Sequence, residues 1–371
     1  MKVGIVTFHA DANYGAFFQA YALQTYLEHC GHNPFFIRWS RYEATPPAQS
    51  RSPFSWVPRK PIQRMYGRVF RRKFRRFAER HLRTSEISYG SFEAIAATPP
   101  EAGAYICGSD QVWNPRFVSA RRQPIAWLCF GDRAIRRIAY APSFGRTQLE
   151  PELISRWSEY AKGLDKVSVR EESGIQLMEQ LGRQDAQWVP DPTLLLGPAD
   201  YAHLGVAAQE QCGGYVCAYI VTAGNDNSVV YAAVKKHIRH HRRLSLWECR
   251  PKRRPLRDLL AGKMPGPHEW LGRLRNADFV ITNSFHGLMF SLIFHRPFVA
   301  ILRSGRGVGL NARVESILRI AGLTHRAIAD YDSRHVERLC ADEIDWGDVD
   351  RRLAEFRNAG QRFLQSSLEA E

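Results

Sequence analysis

The chain has 371 residues, of which 44% are apolar, and carries a formal net charge of +15. This length and composition predict a globular protein with two domains and exclude a disordered chain. The longest apolar run, residues 279–294, is interrupted by Thr282, Asn283, Ser284 and His286, which excludes a membrane-spanning helix.

The N-terminal sequence MKVGIVTF enters a strand-like segment directly and does not have the layout of a signal peptide. The seven cysteines have no C-x-x-C or zinc-like spacing, and Cys30, Cys107 and Cys217 lie in apolar segments. Reduced, buried thiols are typical of cytosolic proteins. We therefore expect a cytoplasmic protein.

Strand-like and helix-like segments alternate through the first part of the chain. The strand VGIVTF precedes a helix from Ala16 to about Cys30 that ends at Gly31. Further strands are predicted at PFFIRW, AYICGSD, RRIAYAPS, DKVSVRE and AQWVPDP. This βα repetition predicts a parallel sheet covered by helices on both faces, in a first domain of residues 1–197.

The turn after the first strand, FHADANYG (8–15), lies where a dinucleotide-binding protein would carry a glycine-rich loop. It has one glycine, Gly15, so the G-x-G-x-x-G pattern is absent. The sequence therefore argues against an NAD-type site. Asn13 is expected either to cap the following helix or to contact a ligand through its amide.

Residues 59–83 form a basic amphipathic insert in the first domain. They contain eleven Lys and Arg but a single acid, Glu79, and their apolar residues recur at helical spacing. Three interpretations are open: a packed helix with a solvated basic face, a contact with an anionic membrane or a lipid-linked phosphate, and a nucleic-acid contact. No recognised nucleic-acid motif accompanies the charge, so no nucleic-acid partner is expected.

A second α/β series follows a crossing segment at about residues 198–213. Strands are predicted at YVCAYIV, RLSLWEC, DFVITNS and PFVAIL, with helices between them. Residues 213–345 are expected to form a second domain, and residues 346–371 a C-terminal helix that packs back on the first domain. The predicted fold class is α/β, with two Rossmann-like domains and parallel sheets.

Polar residues at the carboxyl ends of these strands are the candidate site, because open α/β sheets bind ligands there. After DFVIT, Asn283 and Ser284 can cap a helix, and His286 and Gly287 fall in its first turn. The free N–H groups of such a turn attract an anion, and a histidine there can supply a proton. The glycine would allow a ligand to approach closely. A histidine that only caps or packs is the alternative.

Two further strand ends contribute charged residues. Arg170 ends the strand KVSV and offers either a structural ion pair or a guanidinium fork for a carboxylate or phosphate. Ser109 and Asp110 follow AYICG, and Asp110 is either an N-cap or a carboxylate presented to substrate hydroxyls.

Metal, hydrolase and NTPase sites are not indicated by the sequence. His9, His295 and the cluster HIRHH (237–241) lack a set of ligands with zinc-like spacing. No G-x-S-x-G elbow or Walker glycine loop is present. No metal is therefore expected.

At these residues the sequence resembles the polysaccharide pyruvyl transferase family. The similar segments follow the family's order and span most of the chain: NYGAFFQAYALQ (13–24), GSDQVWNP (108–115), SVREESG (168–174), PDPTLL (190–195), TNSFHGLMFSLIFHRPF (282–298) and, more weakly, NARVESILRIAGL (311–323). The basic segment 45–85 lies outside the resemblance. Leu288 and Met289 replace the small residues often found after the family's His-Gly.

The resemblance implies a GT-B-like fold with the site in the cleft between the domains. It also implies transfer of a pyruvyl group from phosphoenolpyruvate, as donor substrate, to sugar hydroxyls as a cyclic ketal in exopolysaccharide or cell-surface glycan biosynthesis. No cofactor is implied. The saccharide acceptor could be lipid-linked, with peripheral contact of the protein to the inner face of an anionic membrane.

Residue roles follow from the resemblance and this chemistry together. His286 is expected to act as general acid or phosphate contact, and Asp110 as base. Arg170 and Arg313 are expected to bind the anionic donor. The remaining expected substrate contacts are Asn13, Ser109, Asn283, Ser284 and Gly287.

Two other functions stay open. A nucleotide-sugar glycosyltransferase would share the fold, and binding of UDP or GDP sugars in place of phosphoenolpyruvate would identify it. A non-catalytic binder of anionic lipid or nucleic acid would act through the basic helix, and neutralising that helix would abolish its binding.

Overall fold

A computed structural model gives the fold of residues 1–10, 12–41, 61–204, 214–221, 230, 232–234, 236, 245–249, 265–303, 309–329 and 333–369. The HIRHH cluster (237–241), part of the expected crossing segment (205–213) and the start of the basic insert (59–60) lie outside these described residues. Within them, no helix combines the length and the apolar character needed to cross a membrane.

The first sheet has buried apolar strands at its centre and more exposed strands at its two edges. Its strands are β1 (Lys2–Val6), β2 (Asn33–Trp39), β3 (Thr84–Tyr89), β4 (Ala104–Cys107), β5 (Arg136–Ala139), β6 (Lys166–Val169) and β7 (Gln187–Trp188). All described pairings are parallel, in the order β3-β2-β1-β4-β5-β6-β7. The order therefore reverses between β1 and β4, where an open α/β sheet offers a crevice for a ligand.

The helices between these strands are α1 (Tyr14–His29), α2 (Pro61–His81), α3 (Phe92–Ala97), α4 (Gln123–Ala126), α5 (Pro151–Lys162) and α6 (Ser173–Gln180). A 3₁₀ helix follows at Pro192–Leu195. The central strand β4 has every residue buried, as its continuous apolar run AYIC predicts for a strand between two helical layers.

The second sheet has the same construction. Its described strands are β8 (Tyr215–Tyr219), β9 (Ser245–Cys249), β10 (Phe279–Thr282), β11 (Phe298–Ile301) and β12 (Ala327–Ile328). They are parallel in the order β12-β11-β10-β8-β9. The accompanying helices are α7 (Pro267–Arg275), α8 (Phe285–Ile293), α9 (Ala312–Ile320), α10 (Ser333–Ala341) and α11 (Trp346–Leu368). The predicted α/β class with two parallel sheets is confirmed.

Aromatic side chains at the start of α1 join the two sheets into one core. Tyr14 stacks on Trp270 of α7, with ring centroids 4.9 Å apart, and its hydroxyl donates a hydrogen bond to the carbonyl of Pro265 at 2.7 Å. Phe18 packs against Phe290 of α8 at 5.2 Å. This packing fixes the N-terminus of α1 against the elements of the second sheet.

The C-terminal helix α11 lies against the 3₁₀ helix and the end of the first sheet. The Nε of Arg357 donates to the carbonyl of Leu194 at 2.7 Å. A Cβ at Gly360 would lie 2.7 Å from the hydroxyl oxygen of Tyr140, so a glycine is needed for this close approach.

Candidate functional site

The turn that starts α1 meets the turn that starts α8 at the junction of the two sheets. The Oδ1 of Asn13 accepts hydrogen bonds from the backbone N–H groups of Gly15 at 3.0 Å and Ala16 at 3.4 Å. Asn13 therefore caps α1. A Cβ on Gly15 would overlap the ring of His286, with Nδ1 as the nearest atom. The glycine thus provides the room that the imidazole needs.

The turn after β10 is held by its own polar residues. Ser284 caps α8, as the sequence predicts, and its Oγ accepts the backbone N–H of Gly287 at 3.4 Å. The Oδ1 of Asn283 accepts the backbone N–H of Val221 at 2.8 Å. A Cβ at Gly287 would overlap the hydroxyl of Thr282, so this glycine serves packing against β10.

The buried carboxylate of Asp191 links residues of both sheets. Its Oδ2 lies 3.6 Å from Nε2 of His286 and 2.9 Å from Nη1 of Arg170, and it accepts the hydroxyl of Ser109 at 2.9 Å. Burial alone would raise the pKa of Asp191, but the charges of His286 and Arg170 and the N–H of Thr193 outweigh it and hold the pKa well below its usual range. Asp191 is therefore an anion beside the imidazole across the accessible pH range.

Arg170 is the centre of an ion-pair network and has a side chain that is 0% exposed. Besides Asp191, its Nη2 lies 3.5 Å from Oδ1 of Asp110 and its Nε 3.9 Å from Oε2 of Glu171. Burial lowers the pKa of Arg170, but these three carboxylates raise it above its usual value. The geometry favours the structural ion pair, the alternative that the sequence leaves open, because the guanidinium has no face open to a ligand.

Asp110 lies at the carboxyl end of β4 with a φ of 71°. This left-handed conformation is uncommon for residues other than glycine, and such backbone strain often marks functional sites. Its Oδ1 accepts the backbone N–H of Gln111 at 2.9 Å, and turns rather than a helix follow, so the carboxylate is not the N-cap of a helix. Oδ2 has no hydrogen-bond partner among the described residues.

Two arginines from the elements around the second sheet form no ion pair with a carboxylate in the described part of the chain. Arg313 of α9 is 9% exposed, and its Nε has no hydrogen-bond partner there. Burial, with the nearby charge of Arg170, lowers the pKa of Arg313 to about 9. Arg303, after β11, donates to the carbonyl of Asn283 at 3.1 and 3.3 Å, and burial lowers its pKa.

The side chain of Phe285, the first residue of α8, contacts the guanidinium groups of both Arg170 and Arg313. The guanidinium carbon of Arg170 lies 4.9 Å from the ring centroid, and that of Arg313 lies 5.6 Å from it. Burial of Arg313 outweighs the attraction of Asp110 and Glu171, and the N-terminal turn of α8 adds a partial positive charge. The arrangement can therefore bind an anion beside a proton donor.

Sequence reasoning did not select Asp191 or Arg303 as site residues. Arg303 follows the strand PFVAIL directly, so the strand-end rule that selected Arg170 would also have found it. Asp191 follows β7 within PDPTLL and meets the same rule. Glu171, whose Oε1 accepts the hydroxyl of Ser143 at 2.7 Å, gives no signal beyond its position next to Arg170.

The histidines considered as metal ligands have other contacts. His9 stacks on Phe36 at 5.1 Å, and burial lowers its pKa to about 4. The Nε2 of His295 lies 2.9 Å from Asp350, and the ring stacks on Trp346 at 4.9 Å. The described residues contain no group of three His, Cys, Asp or Glu side chains that could hold a metal ion.

Comparison with known proteins identifies the family. The family model "Polysaccharide pyruvyl transferase" matches residues 13–305, which is most of the chain. The chain belongs to this family. It is therefore a transferase, and its matched range contains every candidate residue except Arg313. No functionally curated protein matches the sequence.

Solved structures align with nearly the whole of this pyruvyl transferase. A Listeria monocytogenes protein described as a UDP-N-acetylglucosamine 2-epimerase aligns with a TM-score of 0.51 and 10% identity, over 98% of this chain and 94% of that one. The S. aureus MnaA–UDP structure aligns with a TM-score of 0.49 and 11% identity, over 98% of this chain and 95% of that one. A Polygonum tinctorium UDP-glucosyltransferase aligns with a TM-score of 0.46 and 13% identity, over 98% of this chain and 97% of that one. At 10% identity, the likeness to the Listeria protein shows a GT-B-like fold alone.

Proposed function

We propose that this pyruvyl transferase moves the pyruvyl group of phosphoenolpyruvate onto two hydroxyls of a saccharide, in the cytoplasmic assembly of an exopolysaccharide or cell-surface glycan. The observation that carries the proposal is a pair of arginines, Arg303 and Arg313, that form no ion pair with a carboxylate in the described part of the chain. Phosphoenolpyruvate carries a phosphate and a carboxylate, and arginine suits both. Such an anion would add to the counter-charge of Asp110 and Glu171, which does not offset the burial of Arg313.

His286 is the proposed general acid, and we assign Nδ1 as its donor atom. The Nε2 atom is enclosed and faces Asp191 at 3.6 Å, so Nδ1, beside Gly15, is the nitrogen left for a substrate. Transfer of its proton to C3 of the donor converts the methylene to a methyl group and makes C2 electrophilic. The carboxylate of Asp191 stabilises the imidazolium that gives up this proton.

Asp110 is the proposed base, because its Oδ2 has no partner among the described residues. One sugar hydroxyl adds to C2 and passes its proton to Asp110. The bond from C2 to the phosphate oxygen then breaks, and inorganic phosphate leaves with the electron pair. The second hydroxyl adds to C2, its proton goes to solvent, and the cyclic ketal closes.

The other expected contacts divide into two groups. Arg170, Ser109, Asn283, Ser284 and Gly287 are used in contacts within the protein, so we assign them to holding the shape of the site. The Oδ1 of Asn13 accepts the hydrogen bonds that cap α1, so its amide nitrogen is assigned as a donor to a sugar hydroxyl.

Phosphate release from phosphoenolpyruvate tests this function. With purified protein and a panel of free and diphosphate-linked saccharides, we expect acceptor-dependent phosphate release and a ketal on the product, identified by mass spectrometry and NMR. Absence of both products across the panel would contradict the proposal. Thermal stabilisation by UDP or GDP sugars but not by phosphoenolpyruvate would instead support glycosyl transfer, the function that the sequence leaves open.

A further inference from the structure

The outward face of α2 carries a cluster of arginines that the proposed chemistry does not use. The exposed members of this arginine face are Arg68, Arg71, Arg72, Arg75, Arg76 and Arg80. At 100° per residue they fall within one half of the helix circumference. Glu79 shares this face and lies 3.5 Å from Arg75.

The opposite face of α2 anchors the helix to the fold. Phe74 and Phe77 are each 1% exposed, and they pack against Phe17 at 5.2 and 5.8 Å. On the flank, Nζ of Lys73 pairs with Glu269 of α7 at 2.9 Å. The helix therefore touches elements of both sheets, and its arginines are held outward on a fixed support.

We propose that the arginine face of α2 docks onto an anionic phospholipid bilayer. Charge complementarity carries the inference. The helix α2 contains eight Lys and Arg residues and one acidic residue, whereas α11, another long surface helix, contains four Lys and Arg residues and three acidic residues. From Arg68 to Arg80 the helix rises by about 18 Å, so a flat, uniformly negative partner can meet the whole face. Arginine forks also match lipid phosphates.

The same face fits other partners less well. Insertion into the bilayer as an amphipathic helix would need exposed apolar residues, but Phe74 and Phe77 are buried. Among the described residues of this face, Val69 is the exposed large apolar residue, and it is 38% exposed. Single-stranded nucleic acid prefers exposed aromatic rings on which bases stack. The contact is therefore electrostatic and reversible, and it does not depend on which reaction the site performs.

Vesicle flotation of the full-length protein tests the docking. We compare phosphatidylcholine vesicles with vesicles that also contain phosphatidylglycerol, for the wild type, R68Q/R72Q/R76Q and a control. The control R116Q/R133Q/R156Q removes the same charge from exposed positions elsewhere. Because a basic residue near the surface contributes about fivefold in partitioning, the α2 variant should bind about a hundredfold more weakly, and the control nearly as well as the wild type.

Two further measurements, the dependence of vesicle binding on ionic strength and competition between vesicles and a nucleic acid, test whether the contact is electrostatic and specific for the bilayer. Binding to the anionic vesicles should fall steeply as ionic strength rises, because exposed charges are screened. Equal binding to both vesicle types, equal loss in the two variants, or preferential binding of a nucleic acid over anionic vesicles would each overturn the proposal. Unchanged circular dichroism and thermal unfolding of the α2 variant show that a loss of binding is not a loss of fold.

Discussion

At the scale of single residues, Arg313 is buried beside Arg170, and its pKa is lowered to about 9. Burial and the charge of Arg170 outweigh the attraction of Asp110 and Glu171, so the charged side chain destabilises the free protein and R313Q should raise the free energy of unfolding by roughly 1–3 kcal/mol. The same change should weaken phosphoenolpyruvate binding, since the ligand would lose its counter-charge. Urea unfolding and thermal shift with the donor measure the two effects.

Arg319 provides the control for this prediction. It lies on the same helix, α9, but is exposed and pairs with Glu172. R319Q should change stability by less than about 0.5 kcal/mol and leave donor binding intact. Destabilisation by R313Q with unchanged donor affinity would show that Arg313 is a structural residue.

His286 is the residue on which the proposed proton transfer depends. General acid catalysis contributes about 10²–10⁴-fold, so H286Q should lower kcat by that factor while the protein stays folded. H295Q is the matched control, because His295 pairs with Asp350 away from the site. Steady-state phosphate release measures both variants. Turnover at the wild-type rate in H286Q would remove His286 from the chemistry.

At the scale of elements, the start of α1 lies so close to α8 that residue 15 has no room for a side chain. The Cβ of G15A would overlap the imidazole of His286, so the ring must move away from Asp191. We expect a loss in kcat of about 10²-fold or more, measured with the thermal midpoint. G67A, a glycine-to-alanine change within α2 that meets only the flexible end of Arg71, should leave kcat unchanged. Equal turnover in G15A and G67A would contradict the expectation.

Elements with local signals could be predicted from the sequence. The apolar runs AYIC and FVIT form the buried strands β4 and β10, and Ser284 caps the following helix, because strand burial and capping depend on neighbouring residues. Contacts between distant elements could not be predicted. The sequence does not indicate that Asp191 would meet His286, since that contact depends on how the two sheets pack. Nor does it indicate that Arg170 would be enclosed by three carboxylates, since that depends on the paths of the turns after three strands of the first sheet.

One apolar core spans both sheets and buries titratable groups along with it. His9 is enclosed, with the carbonyl of Thr7 and the charge of Arg38 as neighbours, and burial lowers its pKa to about 4. His81 is half-buried near His268, and burial first and this neighbour second lower its pKa to about 4. Both side chains are therefore neutral in the folded protein at pH values where an unfolded chain would protonate them.

These lowered pKa values set the pH dependence of stability. Between pH 6.5 and about 4 the unfolded chain binds more protons than the folded one, so the free energy of unfolding must fall as the pH drops. From about pH 7.5 to about pH 5, His9 alone should contribute a loss of about 2 kcal/mol, and the more exposed His81 less. Urea unfolding at both pH values measures the change. H9Q should reduce this loss of unfolding free energy, whereas H29Q, which removes an exposed histidine, should leave it unchanged. An equal loss in H9Q and the wild type would show that His9 is not the source of the pH dependence.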